Sequence, residues 1–425
     1  MEARAKVAGS GNLLTIMRFE LSIFALLAVG LFSGCVGDSA PVIPDAGDAS
    51  VDATVSDASD AADGDALDAG DATAGDADAV ANATVKVTFA GTSTGSVTLN
   101  PGNVTCTTTC TVPFPPDTAV SIVATADVGG TFTGWSSPCT AGDAANDCQV
   151  TAVGAVEVTA TFTCSAGGSQ TFTPSGAIDT FKIPVCATSL IIDAYGAQGG
   201  FDPQYSTTAG GGAHIKGTFA ALSGTLHVIV GKKDPTSAYP GGGGGASFVY
   251  VNATDALPLI AAAGGGGATC NASGGPGSAT TSPTNSTTGD GNGAGGSNGN
   301  GGTGGGLTGN ASDPGTGGGG AGWLTNGGDG TVVSKGGGGQ APRNGGTGGT
   351  AGAFGHVGGF GGGGGSAGSC GAGGGGGGFN GGGGGNNWNG SATGAGGGGG
   401  SYNGGTNQTN TAGGHAGDGS VTISW

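Results

Sequence analysis

Few residues in this chain are arranged as chemistry requires. Gly295-Gly296-Ser297-Asn298-Gly299 and Gly364-Gly365-Ser366-Ala367-Gly368 both fit G-x-S-x-G, the pattern that exposes a nucleophilic serine on a turn between strand and helix. Neither follows a strand pattern or opens a helix pattern, and a chain with 105 glycines produces such strings by chance. Phosphate-binding glycine fingerprints fail for the same reason. His214, His227, His356 and His415 are scattered, with no HExxH pair and no Cys/His cluster, and His214 and His227 read as ordinary strand residues. No acid–base constellation emerges. The expectation is therefore no enzyme, no cofactor and no metal site, with a hydrolase using an unrecognised site as the remote alternative.

Cysteine is the remaining reactive type, and its reading depends on the N-terminal region. Residues 21–33 form an apolar run of about thirteen, short of the roughly 20 that span a bilayer but suited to the core of a secretory signal. The run ends in Leu31-Phe32-Ser33-Gly34-Cys35, which resembles the bacterial lipobox, where small residues precede a cysteine that receives lipid and becomes the mature N-terminus. Phe32 departs from the aliphatic residue commoner there. The resemblance implies a lipoprotein signal over 1–34, lipid on Cys35 and attachment to the bacterial outer membrane or cell surface; an export signal with an incidental cysteine is the alternative. Met17, with Arg18 beside it, is the expected true start.

Eight of the nine cysteines remain, an even number in an exported chain, which reads as disulfides. Many pairings are open to eight cysteines. Proximity favours Cys106 with Cys110, Cys139 with Cys148 and Cys164 with Cys186, leaving Cys270 with Cys370. A four-thiolate zinc site is the rival, but the paired C-x2-C spacing is missing.

Composition sets the frame that carries these residues. Of 28 acidic residues, 12 are Asp between Asp38 and Asp78, a stretch without Lys or Arg, and the formal net charge is −18. No basic stripe exists to neutralise phosphates, so nucleic acid is not an expected partner. Residues 35–81 hold too little apolar surface to fold and should form an extended acidic tether, reaching at most about 150 Å at roughly 3.3 Å per residue. EF-hand ligand spacing is absent from it.

Residues 82–163 alternate in apolar character at Val85, Val87 and Phe89, at Val97 and Leu99, at Val120, Ile122 and Ala124, and at Val156, Val158, Ala160 and Phe162. Period two between turn signals predicts a small antiparallel β module. Its strings Gly134-Trp135-Ser136-Ser137-Pro138-Cys139 and Cys148-Gln149-Val150-Thr151, with the strand Val156 to Phe162, resemble the divergent internalin-type B-repeat of bacterial surface proteins. That resemblance implies a spacer with no catalytic residues to carry over. Trp135 is either core or a ligand platform.

From 164 onward, strand patterns end repeatedly in glycine. Leu190-Ile191-Ile192-Asp193-Ala194-Tyr195 enters Gly196, Ala261-Ala262-Ala263 enters Gly264, and the chain closes with Ser420-Val421-Thr422-Ile423-Ser424-Trp425. The ordered series resembles the glycine-rich extracellular domain of anaplastic lymphoma kinase and leukocyte tyrosine kinase. It implies a β-sandwich over 164–425 resembling tumour necrosis factor, from which a long insertion leaves as packed polyglycine II helices and returns for a final strand. The kinase and membrane-spanning parts have no counterpart here, and no cytokine-contact motif can be matched. A threefold extended helix bonds nothing internally, so its N–H and C=O groups point outward, and only glycine lets neighbours approach closely enough to pair them. A flexible linker is the alternative. Collagen is excluded by irregular spacing and scarce Pro, and a calcium-binding solenoid by scarce Asp.

The whole is expected to be mostly β with no large α domain. It reads as a lipid-anchored surface protein displaying a glycine-rich binding or adhesion domain to an extracellular protein or glycan. A passive structural role in the cell envelope is the alternative. Larger residues forced to the rim of a glycine lattice would be its contacts, and Asn386-Asn387-Trp388-Asn389 names Asn387 and Trp388 as ligand candidates.

Overall fold

The computed structural model describes residues 82–425 apart from 143, 166, 202–203, 205, 221, 235–239, 288–291, 307–314 and 389–391. The expected signal, Met17, Cys35 and the acidic stretch all lie outside the described residues.

The first nine strands are β1 (Ala83–Gly91), β2 (Gly95–Asn100), β3 (Val104–Cys106), β4 (Cys110–Phe114), β5 (Thr118–Ala126), β6 (Gly130–Trp135), β7 (Thr140–Ala141), β8 (Asp147–Ala152) and β9 (Ala155–Cys164). They form two sheets, ordered β4-β1-β9-β6 and β3-β2-β5-β8-β7. Alternation places Val85 and Val87 from one sheet against Val97, Leu99, Val120 and Ile122 from the other, all fully buried. One pair departs from the antiparallel expectation: β1 and β9 run parallel, Val85 opposite Val156 and Val87 opposite Val158. The period-two pattern fixes which face of a strand is buried but not its direction. The chain crosses repeatedly between the two sheets, supplying the long connection that a parallel pair needs. Trp135 joins this core, its ring 5.1 Å from Phe132 and its indole N–H donating to the Asn146 carbonyl.

A β-sandwich follows. Its strands are β10 (Ser169–Phe172), β11 (Asp179–Lys182), β12 (Ser189–Tyr195), β13 (Gly212–Ala220), β14 (Thr225–Ile229), β15 (Ser247–Tyr250) and β16 (Ile260–Ala262), completed by β21 (Tyr402–Asn403), β22 (Thr406–His415) and β23 (Ser420–Ser424). Among the described residues between β16 and β21, the regular elements are the two-residue strands β17 (Gly315–Thr316), β18 (Ser334–Lys335), β19 (Asn387–Trp388) and β20 (Ala392–Thr393), with a 3-10 turn at Pro342–Asn344. One sheet is ordered β10-β23-β12-β13-β22 and the other β11-β14-β15-β16-β21. Phe181, Leu190, Ile192, Ile215, Leu226 and Val249 fill the space between them. The last strand seats centrally between β10 and β12, burying Val421 and Ile423.

The insertion is an array of extended glycine runs bonded to one another. Run 373–378 lies at its middle and exchanges backbone hydrogen bonds with runs 241–245, 264–267, 317–320, 361–365, 381–385 and 396–400. Examples are Gly377 N–H to Gly244, Gly264 N–H to Gly377, Gly375 N–H to Gly318, Gly364 N–H to Gly375, Gly382 N–H to Gly376 and Gly376 N–H to Gly397, all 2.8 to 3.0 Å. A backbone bonded to six neighbouring runs is neither an α-helix, which bonds within itself, nor a β-sheet strand, which has two neighbours. Only residues without a Cβ permit the approach: a Cβ on Gly376 would collide with the Gly264 carbonyl. The array covers the outer face of β14–β16 through Trp323 and Phe379, which pack on Ile229, Phe248, Tyr250 and Ala261.

Four disulfides join Cys106 to Cys110, Cys139 to Cys148, Cys164 to Cys186, and Cys270 to Cys370. The third links the end of β9 to the sandwich, and the fourth closes the insertion on itself. Such bonds form in oxidising compartments, so the chain belongs outside the cytosol or in the envelope. Among the described residues no helix is long and apolar enough to cross a membrane.

Candidate functional site

The two serine motifs sit in different settings. Ser366 is fully buried; its hydroxyl donates to the Pro240 carbonyl at 2.5 Å and accepts from the His356 backbone N–H at 2.8 Å, so it ties two loops together with no histidine ring as base. Ser297 is exposed at a turn, where its backbone carbonyl accepts from the Asn300 N–H, and it follows no strand and opens no helix among the described residues. Among the described residues no group of three His, Cys, Asp or Glu could hold a metal ion.

Asn387 is not at a rim. It is 2 % exposed in β19, paired with Thr393 of β20, because the amides at 386 and 387 are drawn into the glycine array. Trp388 pairs with Ala392 through its backbone, and its side chain lies outside the described residues.

Two surfaces carry the exposed chemistry. The first is the outer face of β10-β23-β12-β13-β22, where period two turns Thr171, Thr422, Asp193 and Lys216 outward in one row and Tyr195 and His214 in the next. His214 Nε2 donates to Asp193 Oδ1 at 2.8 Å, Lys216 pairs with the same carboxylate at 3.2 Å, and the Tyr195 ring stacks on His214 at 4.2 Å and 4°. Partial burial, with the Asp193 charge added, pushes the Tyr195 phenol above its ordinary value. His415 closes the group, 4.9 Å from Tyr195 and bonded to the Asp418 carbonyl.

The second is a corner of the glycine array, where Phe354 is 76 % exposed and Val333 is fully exposed. The neighbouring residues meet through the Ser334 hydroxyl, 3.5 Å from the Ala353 carbonyl. Phe354 sits at φ 55°, the left-handed region that bulky side chains avoid. Next to Ser334 in the chain, Lys335 pairs with Asp329, and the Gly338 N–H, against the opposing effect of burial and with help from Lys335, holds the Asp329 carboxyl below the usual range. Phe354 is thus an exposed aromatic on a strained backbone, with the exposed Val333 on the neighbouring segment. Sequence reasoning passed over both residues. Val333 and Phe354 lack glycine neighbours on at least one side, and that break in the runs is the only signal that could have found them.

No family model matches the chain, and no curated protein matches its sequence.

Proposed function

We propose that this chain is a bacterial surface protein held to the membrane by lipid on Cys35. Its acidic stretch and β module hold out a glycine-rich head that binds an external protein or glycan. The head is a sandwich resembling tumour necrosis factor, and its insertion is a bundle of polyglycine II helices. Support for the bundle comes from run 373–378, which has six bonded neighbours, as threefold helices in close packing require. Support for binding comes from one observation, the exposure of Phe354 and Val333 at a corner of the glycine array. A passive envelope component has no use for an aromatic turned to solvent in a strained conformation.

The test is adhesion of cells carrying the protein to arrayed glycans and matrix proteins. Phe354→Ser with Val333→Ser should lower adhesion at least tenfold while the head stays folded; unchanged adhesion removes the corner as the contact. Cys35→Ala should release the protein from the membrane fraction, and continued membrane partition would remove the lipid anchor.

A further inference from the structure

The sheet face covered by the glycine array is left open at one end. Ile229 and Phe248 are sealed beneath Trp323, but the next outward positions, His227 and Tyr250, face each other across β14 and β15 beside a cleft of about 410 Å³. Its other walls are the turn at residues 252–254 and the 3-10 turn Pro342–Asn344.

The floor is aromatic. The His227 ring stacks on Tyr250 at 5.4 Å and 22°, and Tyr250 meets Trp323 edge-on at 5.2 Å. Trp323 is itself pinned, its indole N–H donating to the Asp255 carbonyl at 2.8 Å. Tyr250 is 2 % exposed, yet its hydroxyl has no hydrogen-bond partner among the described residues and keeps its contact with solvent. The hydroxyl therefore opens on the cleft, where water, or a bound group that displaces the water, is its partner. Burial pushes its phenol above the ordinary value, so it remains a donor at neutral pH.

Arg343 forms the opposite wall. The chain has three arginines, Arg4, Arg18 and Arg343, and of these only Arg343 is among the described residues; it is exposed and has no carboxylate partner there. Its backbone is nonetheless fixed. Pro342 starts the turn, Gly345 ends it at φ 93°, and the Asn326 side-chain carbonyl accepts from both the Ala341 N–H and the Asn344 amide. Asp255, in the adjoining turn, accepts from the Asn252 N–H at 3.1 Å and so is engaged within its own loop. Between residues 164 and 425 nine Asp oppose five Lys and one Arg, so the head has only a weak net field and the local guanidinium decides what the cleft attracts.

We propose that this cleft binds a saccharide bearing a carboxylate, a hexuronate unit of an acidic polysaccharide. The guanidinium takes the carboxylate in a two-pronged bond, which a lysine could not reproduce. The pyranose ring lies against the imidazole of His227, and the ring hydroxyls meet Tyr250, Asn252 and Thr254, which line the same cleft. A neutral sugar leaves Arg343 unanswered, and a peptide carboxylate supplies no polyhydroxylated ring for the phenol and amide.

The experiment is calorimetric titration of the intact chain at low ionic strength with tetragalacturonate, its methyl ester, a neutral galactose tetrasaccharide and a peptide with a free C-terminal carboxylate. Tetragalacturonate should bind saturably, and the ester and neutral sugar at least tenfold more weakly. Arg343→Ala should cost at least tenfold, about 1.4 kcal/mol. Arg343→Lys should recover part of this, and Tyr250→Phe, which keeps the packed ring, should cost several-fold. Absence of saturable binding, equal binding of the ester, or full binding by a folded Arg343→Ala variant overturns the site; preference for the peptide overturns the saccharide. The Phe354→Ser, Val333→Ser variant should bind tetragalacturonate normally, so failure of the corner as an adhesive contact and failure of this cleft are separately readable.

Discussion

At the scale of single residues, the demands on glycine differ sharply between the insertion and the sandwich strand β22. Gly376 has the Gly264 carbonyl where a Cβ would go, whereas the corresponding position at Gly414 meets no atom closer than 4.0 Å. Neither is at positive φ, so the contrast isolates packing from backbone strain. Gly376→Ala should destabilise the head by about 1 to 3 kcal/mol or more, because neighbouring backbones cannot rotate away as a side chain would. Gly414→Ala should fall within about 0.5 kcal/mol of the parent. Thermal unfolding followed by far-ultraviolet circular dichroism distinguishes the two; equal melting temperatures would show that the runs are not closely packed. Ser366 teaches the same lesson for chemistry, since its hydroxyl spends its bonding capacity on Pro240 and His356.

At the scale of elements, the glycine runs carry almost no apolar surface of their own. Their order depends on backbone pairing, on the Trp323 and Phe379 anchor over β14–β16, and on the link between Cys270 and Cys370, which are 100 residues apart. In the chain-entropy account a closed loop of that length stabilises the fold by up to about 4 to 5 kcal/mol. Cys270→Ser with Cys370→Ser should therefore lower the melting temperature and admit protease to the insertion while the first β module stays protected. Equal melting and equal cleavage in both forms would show that the anchor and the pairing suffice. The same reasoning explains why β23 matters: with β21 and β22 it follows the insertion, and it takes an interior place between β10 and β12, so the sandwich is completed only after the insertion has been traversed.

At the scale of the whole described molecule, the β module and the sandwich meet through covalent and ionic contacts. Cys164 is bonded to Cys186, and Lys182 Nζ donates to Asp127 Oδ2 at 2.5 Å, with Thr94 donating to the same oxygen at 2.6 Å. Burial alone would raise the Asp127 carboxyl, but the bonds from Lys182 and Thr94 outweigh it and hold the group below the usual carboxylate range. A carboxyl depressed in the folded state contributes stability above its unfolded pKa of about 3.9, and that contribution is lost as pH falls through the folded value. Lys182 is 60 % exposed, so solvent screening limits the pair to about 1 kcal/mol at most. Asp127→Asn should lower neutral stability by up to about 1 kcal/mol, and the parent and variant curves should converge as pH falls below about 4, which flattens the acid limb of the variant. An unaltered acid limb would show that the disulfide alone sets the joint.

Much of this architecture is legible in the sequence. Alternating Val85/Val87, Val97/Leu99 and Val421/Ile423 mark strands because a half-buried strand must bury every second side chain, and cysteines close in sequence have few other partners in an oxidising compartment. What the sequence does not contain is direction and proximity. The parallel pairing of β1 with β9, the drawing of Asn387 into the array, the outward Phe354 and the meeting of His227, Tyr250 and Arg343 all bring together or separate residues far apart in the chain. In the glycine insertion this limit is most severe. With no side chains to record a buried face, only the hydrogen bonds between runs decide which glycine touches which, and those bonds exist only once the tertiary structure has formed.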